Sequence, residues 1–156
     1  MNEINILRFI CLFTTALGAG LSLAHALQRS AKAALPSETF LTIQQTFYVK
    51  YGPVAGMIET GSFLSCLAIL FLVRGRSGVF ALTLIAFLSI LAMFLVWAAL
   101  IQPINRQVAK WKPDSMPSNW AQLGRDRWHA LHMIRLVLSA VALGSLIASV
   151  LLDTTS

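Results

Sequence analysis

The sequence predicts an all-α fold, an integral membrane four-helix bundle with a short amphipathic helix in its first long loop. Three observations predict it. Apolar residues make up 57% of the chain and charged residues 12%, about half the charged share of an ordinary soluble domain. Four windows, roughly 4–27, 53–73, 79–101 and 130–152, are each apolar over the about 20 residues that a helix needs to cross a bilayer core. They are continuously apolar rather than alternating, and backbone in lipid must satisfy its own hydrogen bonds, so helices are expected and a barrel is not. Residues 1–156 are read as a single transmembrane domain.

In the first span Thr14, Gly18, Ser22 and His25 follow one another at intervals of four, four and three. That puts small and polar groups on one face, which should look into the bundle. Ala24-His25-Ala26 has the form of a signal cleavage site, but the apolar run exceeds a usual signal core, so a retained helix is expected. Past Gln28 the chain turns polar and reaches Pro36, which cannot continue an incoming helix. Ser37 then reads as an N-cap. Phe40, Ile43, Phe47 and Tyr51 recur at helical spacing, so Glu38 to Lys50 should lie as an amphipathic helix at the membrane surface, placed to cover whatever lies between the spans.

The second span carries Gly52, Gly56 and Glu59 on one face. The Gly-x-x-x-Gly pair predicts a close helix contact there, within the chain or between copies of it, which leaves a homo-oligomer open. Glu59 should point inward about 10 Å below the long-loop end. A carboxylate at that depth calls for a facing cation or a role in proton transfer. The third span is nearly featureless, with Thr83 and Ser89 its only polar residues before Trp97, and is read mainly as lipid-facing and packing surface. Its exit, Gln102-Pro103-Ile104-Asn105-Arg106, brings two amides and a guanidinium, and Pro103 frees a carbonyl near Ala99. Trp111, Trp120 and Trp128 read as an interfacial aromatic belt. Cys11 and Cys66 lie inside spans with no short spacing between them, and are expected to be small core residues rather than a disulfide or metal motif.

The fourth span opens on Trp128-His-Ala-Leu-His-Met-Ile-Arg135. His129, His132 and Arg135 at three-residue intervals cover an arc of roughly 120° and can address one pocket. Ionisable groups facing the membrane interior are rare unless paired or functional. Antiparallel connectivity gathers His25, Glu59, Gln102, Asn105, His129, His132 and Arg135 into one layer within about 10–15 Å of the long-loop face. The opposite half has almost nothing comparable.

The net charge of +6 is distributed unevenly. Arg8, Arg74 and Arg76 fall on the side of the termini, whereas Arg29, Lys32, Lys50, Arg106, Lys110, Lys112, Arg125, Arg127 and Arg135 fall on the side of the long loops. By the positive-inside rule the long loops are cytoplasmic. Some of these cations suit membrane lipid headgroups, and no basic soluble module exists to hold nucleic acid.

Pro103-x-Asn105, then Trp120, then Leu123-x-Arg125-x-Arg127-Trp128-x-x-x-His132-x-x-Arg135 leading into the last span resembles the anthrone oxygenase-like family of small four-helix membrane proteins. The pattern covers mainly residues 103–152, and the number of spans agrees over the whole chain. Asn105, Trp128, His132 and Arg135 match the family's motif; His25, Glu59 and His129 are added by geometry. The resemblance implies an oxygenase that turns an anthrone into an anthraquinone with no bound metal or flavin, acting on a small aromatic or quinone-like substrate. In a workable chemistry His132 acts as base, with Glu59 orienting it or taking the proton itself. Arg135 and Asn105 hold the oxyanion. Trp128 stacks on the ring, and His129, His25 and Gln102 complete the substrate pocket. Two other readings stand beside it. His25, Glu59, His129 and His132 are ligand types acceptable to iron, copper or zinc, although Arg135 would repel a cation. Alternatively, the chain is a non-enzymatic membrane subunit or a quinone- or lipid-binding module.

Overall fold

The computed structural model describes residues 3–154, with the side chains of Val49, Lys50 and Thr154 outside the described part. Four long helices form the bundle: α1 (Glu3–Leu27), α4 (Tyr48–Leu72), α5 (Ser77–Val96) and α7 (Arg127–Thr154). The first long connection carries α2 (Arg29–Ala33) and α3 (Ser37–Thr46), and α6 (Gln102–Val108) continues the line of α5. Packing runs α1 against α4, α4 against α5, α5 against α7 and α7 against α1. Consecutive and closing neighbours are thus antiparallel, an up-down-up-down bundle. Four stretches are long and apolar enough to cross a membrane.

One sequence period builds the interior. Buried positions in α1 are Arg8, Cys11, Thr15, Gly18 and Ser22; α5 buries Val79, Thr83, Ala86, Ile90 and Met93; α7 presents Trp128, His132, Arg135, Ser139, Ala142, Leu146 and Ser149. Alternating steps of three and four keep a seam on one side of each helix, as left-handed bundles require. The seams are built of small and polar residues, with Phe9, Phe13, Met57, Phe71, Val137 and Leu151 on the outer face, each more than half exposed. This inside-out distribution suits hydrocarbon, where close packing rather than apolar burial holds helices together. The hydroxyls are satisfied locally or across the seam: Thr83 Oγ1 meets Ser149 Oγ at 3.1 Å and also donates to Val79 O. Cys11 and Cys66 are free and fully buried in the apolar layer with Ile69, Val73, Ala86 and Ala142, as expected.

Several expectations change at the helix ends. Ser37 is the first helical residue and makes no side-chain cap; Pro36 occupies the cap position, its carbonyl receiving the Phe40 N–H. The surface helix ends at Thr46, and Tyr48 already begins α4, so Pro53 sits inside that helix rather than at its start. The third and fourth spans are longer than predicted, running continuously over Ser77–Val108 and Ala121–Asp153. At about 1.5 Å per residue each exceeds a bilayer core of about 30 Å and projects on the long-loop side. Each also contains a π-helical stretch at that level, Trp97–Ile101 and Ala121–Asp126. The first has a cause in sequence: Pro103 cannot donate to the Ala99 carbonyl, and the ladder shifts so that the Gln102 N–H reaches back to Trp97 O.

The tryptophans are not a lipid-facing belt. Trp128 is buried, Trp111 lies directly on Gly124, where a Cβ would come within 2.8 Å of its ring, and Trp120 packs against Phe40. Together with Gln45, whose amide donates to Val108 O and Trp111 O, they tie α3 down over the end of α6.

The far end of the bundle, where the sequence offered Arg8, Arg74 and Arg76 but almost nothing comparable to the polar layer, holds an ionic cluster. Asp153 accepts from Arg8 Nη2 at 2.7 Å and from Arg76 Nη1 at 2.5 Å. It joins α1, α7 and the turn between α4 and α5, beside the contact of Gly78 with Leu152. Asp153 lies at the polar end of an apolar run, where nothing in the sequence distinguishes a paired carboxylate from a solvated one.

Candidate functional site

At the long-loop end the four seams turn polar together. Arg135 Nη2 and Glu59 Oε1 form an ion pair between α7 and α4. Glu59 therefore faces inward as expected, but its partner is Arg135 and not His132. Both ring nitrogens of His132 are buried without a hydrogen-bond partner among the described residues, as is Arg135 Nε. Aromatic packing, rather than a carboxylate, positions the imidazole: its centroid lies 4.0 Å from the Trp128 ring and 4.3 Å from His25. Trp128 Nε1 donates to Asn105 Oδ1 at 3.0 Å. An indole N–H can only donate, so it fixes which end of the Asn105 amide is oxygen and leaves the amide N–H groups free to act as donors.

These residues enclose a narrow recess of about 60 Å³, lined among others by His25, Glu59, Asn105, Trp128, His132 and Arg135. That is room for a dioxygen- or water-sized guest and not for a ring system. A second, larger cleft of about 700 Å³ adjoins it between α4 and the α5–α6 line, and the two share Tyr48, Gly52, Trp97 and Asn105. Its volume falls within the about 300–1,000 Å³ typical of small-molecule sites. A third space of about 340 Å³ lies between α1, α3 and α4, sharing His25, Tyr48 and Tyr51 with the recess.

Of the two contacts open to the glycine pair of α4, the one within the chain is not made: a Cβ on Gly52 or Gly56 would meet nothing within 4 Å. Both residues line the large cleft. The close approach of α1 to α4 is made elsewhere, at Gly18 with Ile58 and at Gly61 with Thr14. Thr14 thus lies at the edge of its predicted face, bonded to Ile10 O, while Gly18 and Ser22 are buried and His25 reaches the recess.

Of the expected layer, His25, Glu59, Asn105, His132 and Arg135 line the recess with Trp128, and Gln102 lines the neighbouring cleft. His129 does not join them. It sits off the seam that runs from Trp128 to His132 and Arg135, and it packs edge-on to Trp128 among the charges of Lys32, Arg29, Arg125 and Asp126. The four ligand types named for a metal are correspondingly split: among the described residues no three His, Cys, Asp or Glu side chains stand together as a metal-holding group.

Tyr48 and Lys32 are the residues that sequence reading missed. Tyr48 lines all three spaces, and its ring packs 5.2 Å from Trp128 and 5.4 Å from His25. Lys32 Nζ donates to the Tyr48 hydroxyl and lies 4.4 Å over its ring. Burial pulls the Lys32 ammonium down from its ordinary 10.5 to about 8. The available signal was position: Tyr48 is one turn before Gly52, on the same side of the helix.

A four-span membrane bundle with a one-sided polar recess opening into a cleft of ligand size defines the class of protein. The chain belongs to the anthrone oxygenase family, whose profile matches residues 47–145. That range contains α4, α5, α6 and most of α7, with all the recess residues except those from α1. No curated protein and no solved structure matches the chain.

Proposed function

We propose that the protein is a membrane-embedded oxygenase that oxidises the activated CH₂ of an electron-rich polycyclic phenol to a ketone with O₂. The observation that carries this reading is the recess itself: a buried imidazole with two unpartnered nitrogens beside fixed donors from Asn105 and Arg135, next to a cleft of ring-system size. Membership of the family supports the oxygenase class.

The ring system lies in the cleft and presents its acidic carbon at Asn105. His132 takes the first proton. Negative charge delocalises onto the substrate oxygen, where the Asn105 amide and the free Arg135 Nε–H donate to it. The Glu59 partner lets Arg135 stand buried without an uncompensated charge. The carbanion forms a C–O bond with O₂ held in the recess, and the resulting peroxide is protonated. Loss of the second C–H proton with O–O cleavage leaves C=O and releases water. The balance is CH₂ + O₂ → C=O + H₂O, so the substrate supplies all the electrons and no bound metal or flavin is required.

The test is oxygen uptake by detergent-purified protein on an anthrone, with elemental analysis of the same sample. Wild type should consume one O₂ per quinone formed, His132→Ala should lose about 10²-fold or more, and metal should be far below one per chain. Uptake unaffected in His132→Ala would remove the base from the mechanism.

A further inference from the structure

Resting on that reading, we propose that the substrate is a polycyclic phenol carrying a carboxylate, and that Arg106 at the rim of the large cleft selects for it.

Among the described residues the cleft's lining contains one charged side chain, Arg106, and no carboxylate. Arg106 is exposed and, like Arg29, Arg74 and Arg127, makes no ion pair or hydrogen bond with the described residues, but of these it alone lines the cleft. Gln44 is buried on α3 and Gln102 half-buried on α6; both face the cleft without a hydrogen-bond partner in the described structure. Of the other polar groups here, Gln45 is bonded to the end of α6, Tyr48 to Lys32, and Asn105 to Trp128 through its Oδ1 alone. Among the described residues the cleft thus offers one cation and the amides of Gln44 and Gln102 without partners, beside the Asn105 N–H groups that face the reacting oxygen.

Its walls suit a flat body. Gly52 and Gly56 leave a bare strip of helix backbone flanking Pro53, open for at least 4 Å, and Trp97 also lines the space. A fused ring system can lie along that strip with one edge at Asn105, where the cleft meets the recess. Asn105 and Arg106 both line this cleft, so an acidic group on the same molecule can reach the guanidinium while the reacting carbon faces His132. A planar guanidinium binds a carboxylate through two parallel hydrogen bonds, which rewards a carboxylate over a neutral or phenolic group.

The experiment uses the full chain in nanodiscs and two unreactive probes, anthraquinone and anthraquinone-2-carboxylate, with binding read by quenching of tryptophan fluorescence. Wild type should prefer the acid, and Arg106→Gln should cut that preference about tenfold or more, the value of a lost charge-assisted hydrogen bond. Arg106→Lys should restore part of it. Gly56→Leu, which fills the strip, should weaken both probes alike. On reacting substrates, the ratio of kcat/KM for a carboxylated anthrone over its uncharged parent should fall by the same factor in Arg106→Gln. A preference that is absent, or that survives Arg106→Gln, overturns the proposal. So does binding of phosphatidylglycerol that depends on Arg106 while neither quinone binds, which would make the cleft a lipid seat. Retained probe preference without oxygen uptake would instead sink the oxygenase reading and leave the binding assignment intact.

Discussion

The Glu59–Arg135 pair is where charge was brought into the bundle, and its removal should be felt throughout the fold. The Arg135 and Glu59 side chains are 8% and 15% exposed, so neither charge can turn to water when its partner is lost. Breaking such a pair from one side costs about 3–5 kcal/mol, because the remaining ion is left buried and uncompensated. Glu59→Gln keeps the shape and a carbonyl acceptor, so its cost should fall near the lower end, about 3 kcal/mol. Arg135→Leu should be at least as damaging, leaving a carboxylate among His132, Trp128 and apolar α5. The double variant Glu59→Leu/Arg135→Leu removes both charges and should recover most of the loss, because a buried pair and a packed apolar pair of similar volume are close in stability. With Glu59→Leu added as the second single variant, unfolding of the purified protein in mixed micelles by increasing sodium dodecyl sulfate, followed by tryptophan fluorescence and helical dichroism, closes the double-mutant cycle. With single variants costing about 3 kcal/mol or more each and the double about 1–2 kcal/mol, the expected coupling is about 4 kcal/mol or more. Single variants that unfold like wild type, or a double variant as unstable as the sum of the singles, would refute the buried-pair argument.

The ionic cluster at the other end should respond asymmetrically. Asp153→Asn strands the buried Arg8 and should cost about 3 kcal/mol in the same assay, whereas Arg76→Gln removes a half-exposed partner and should cost less than about 1 kcal/mol. Equal effects would mean that Arg8 is not held as described. Lys32 predicts a dependence on pH. Its folded value, near 8, lies below the 10.5 of the free side chain, so between those values the unfolded chain binds more protons and stability rises with pH. Wild type should gain stability from pH 7.5 to pH 9.5 relative to Lys32→Met, and an identical slope in the two proteins would count against a buried ammonium at that position.

The sequence by itself determined the architecture and the end of the bundle at which the polar residues gather. Four apolar windows admit only helices in lipid, and short turns alternating with long loops force an antiparallel order. That order alone brings His25, Glu59, Asn105, His132 and Arg135 to one end. Their pairing belonged to the tertiary structure. Whether Glu59 meets Arg135 or His132 depends on rotations of a few tens of degrees about two helix axes, set by which seam residues interlock. The same rotation carries His129 off the seam while His132 and Arg135 stay on it, although all three share a spacing of three. Gly52 and Gly56 show the same limit from the other side. A glycine pair states only that a surface is bare, and whether a helix, a second copy or a ligand covers it is decided by where the neighbouring helices stand, here beyond 4 Å of either glycine's Cβ position. Tyr48 and Lys32 lie in different segments with no periodic relation, so only the folding of the first loop onto α4 could bring an ammonium to that phenol. Local pattern fixes what each helix can offer; the mutual rotation of the helices chooses which offers meet.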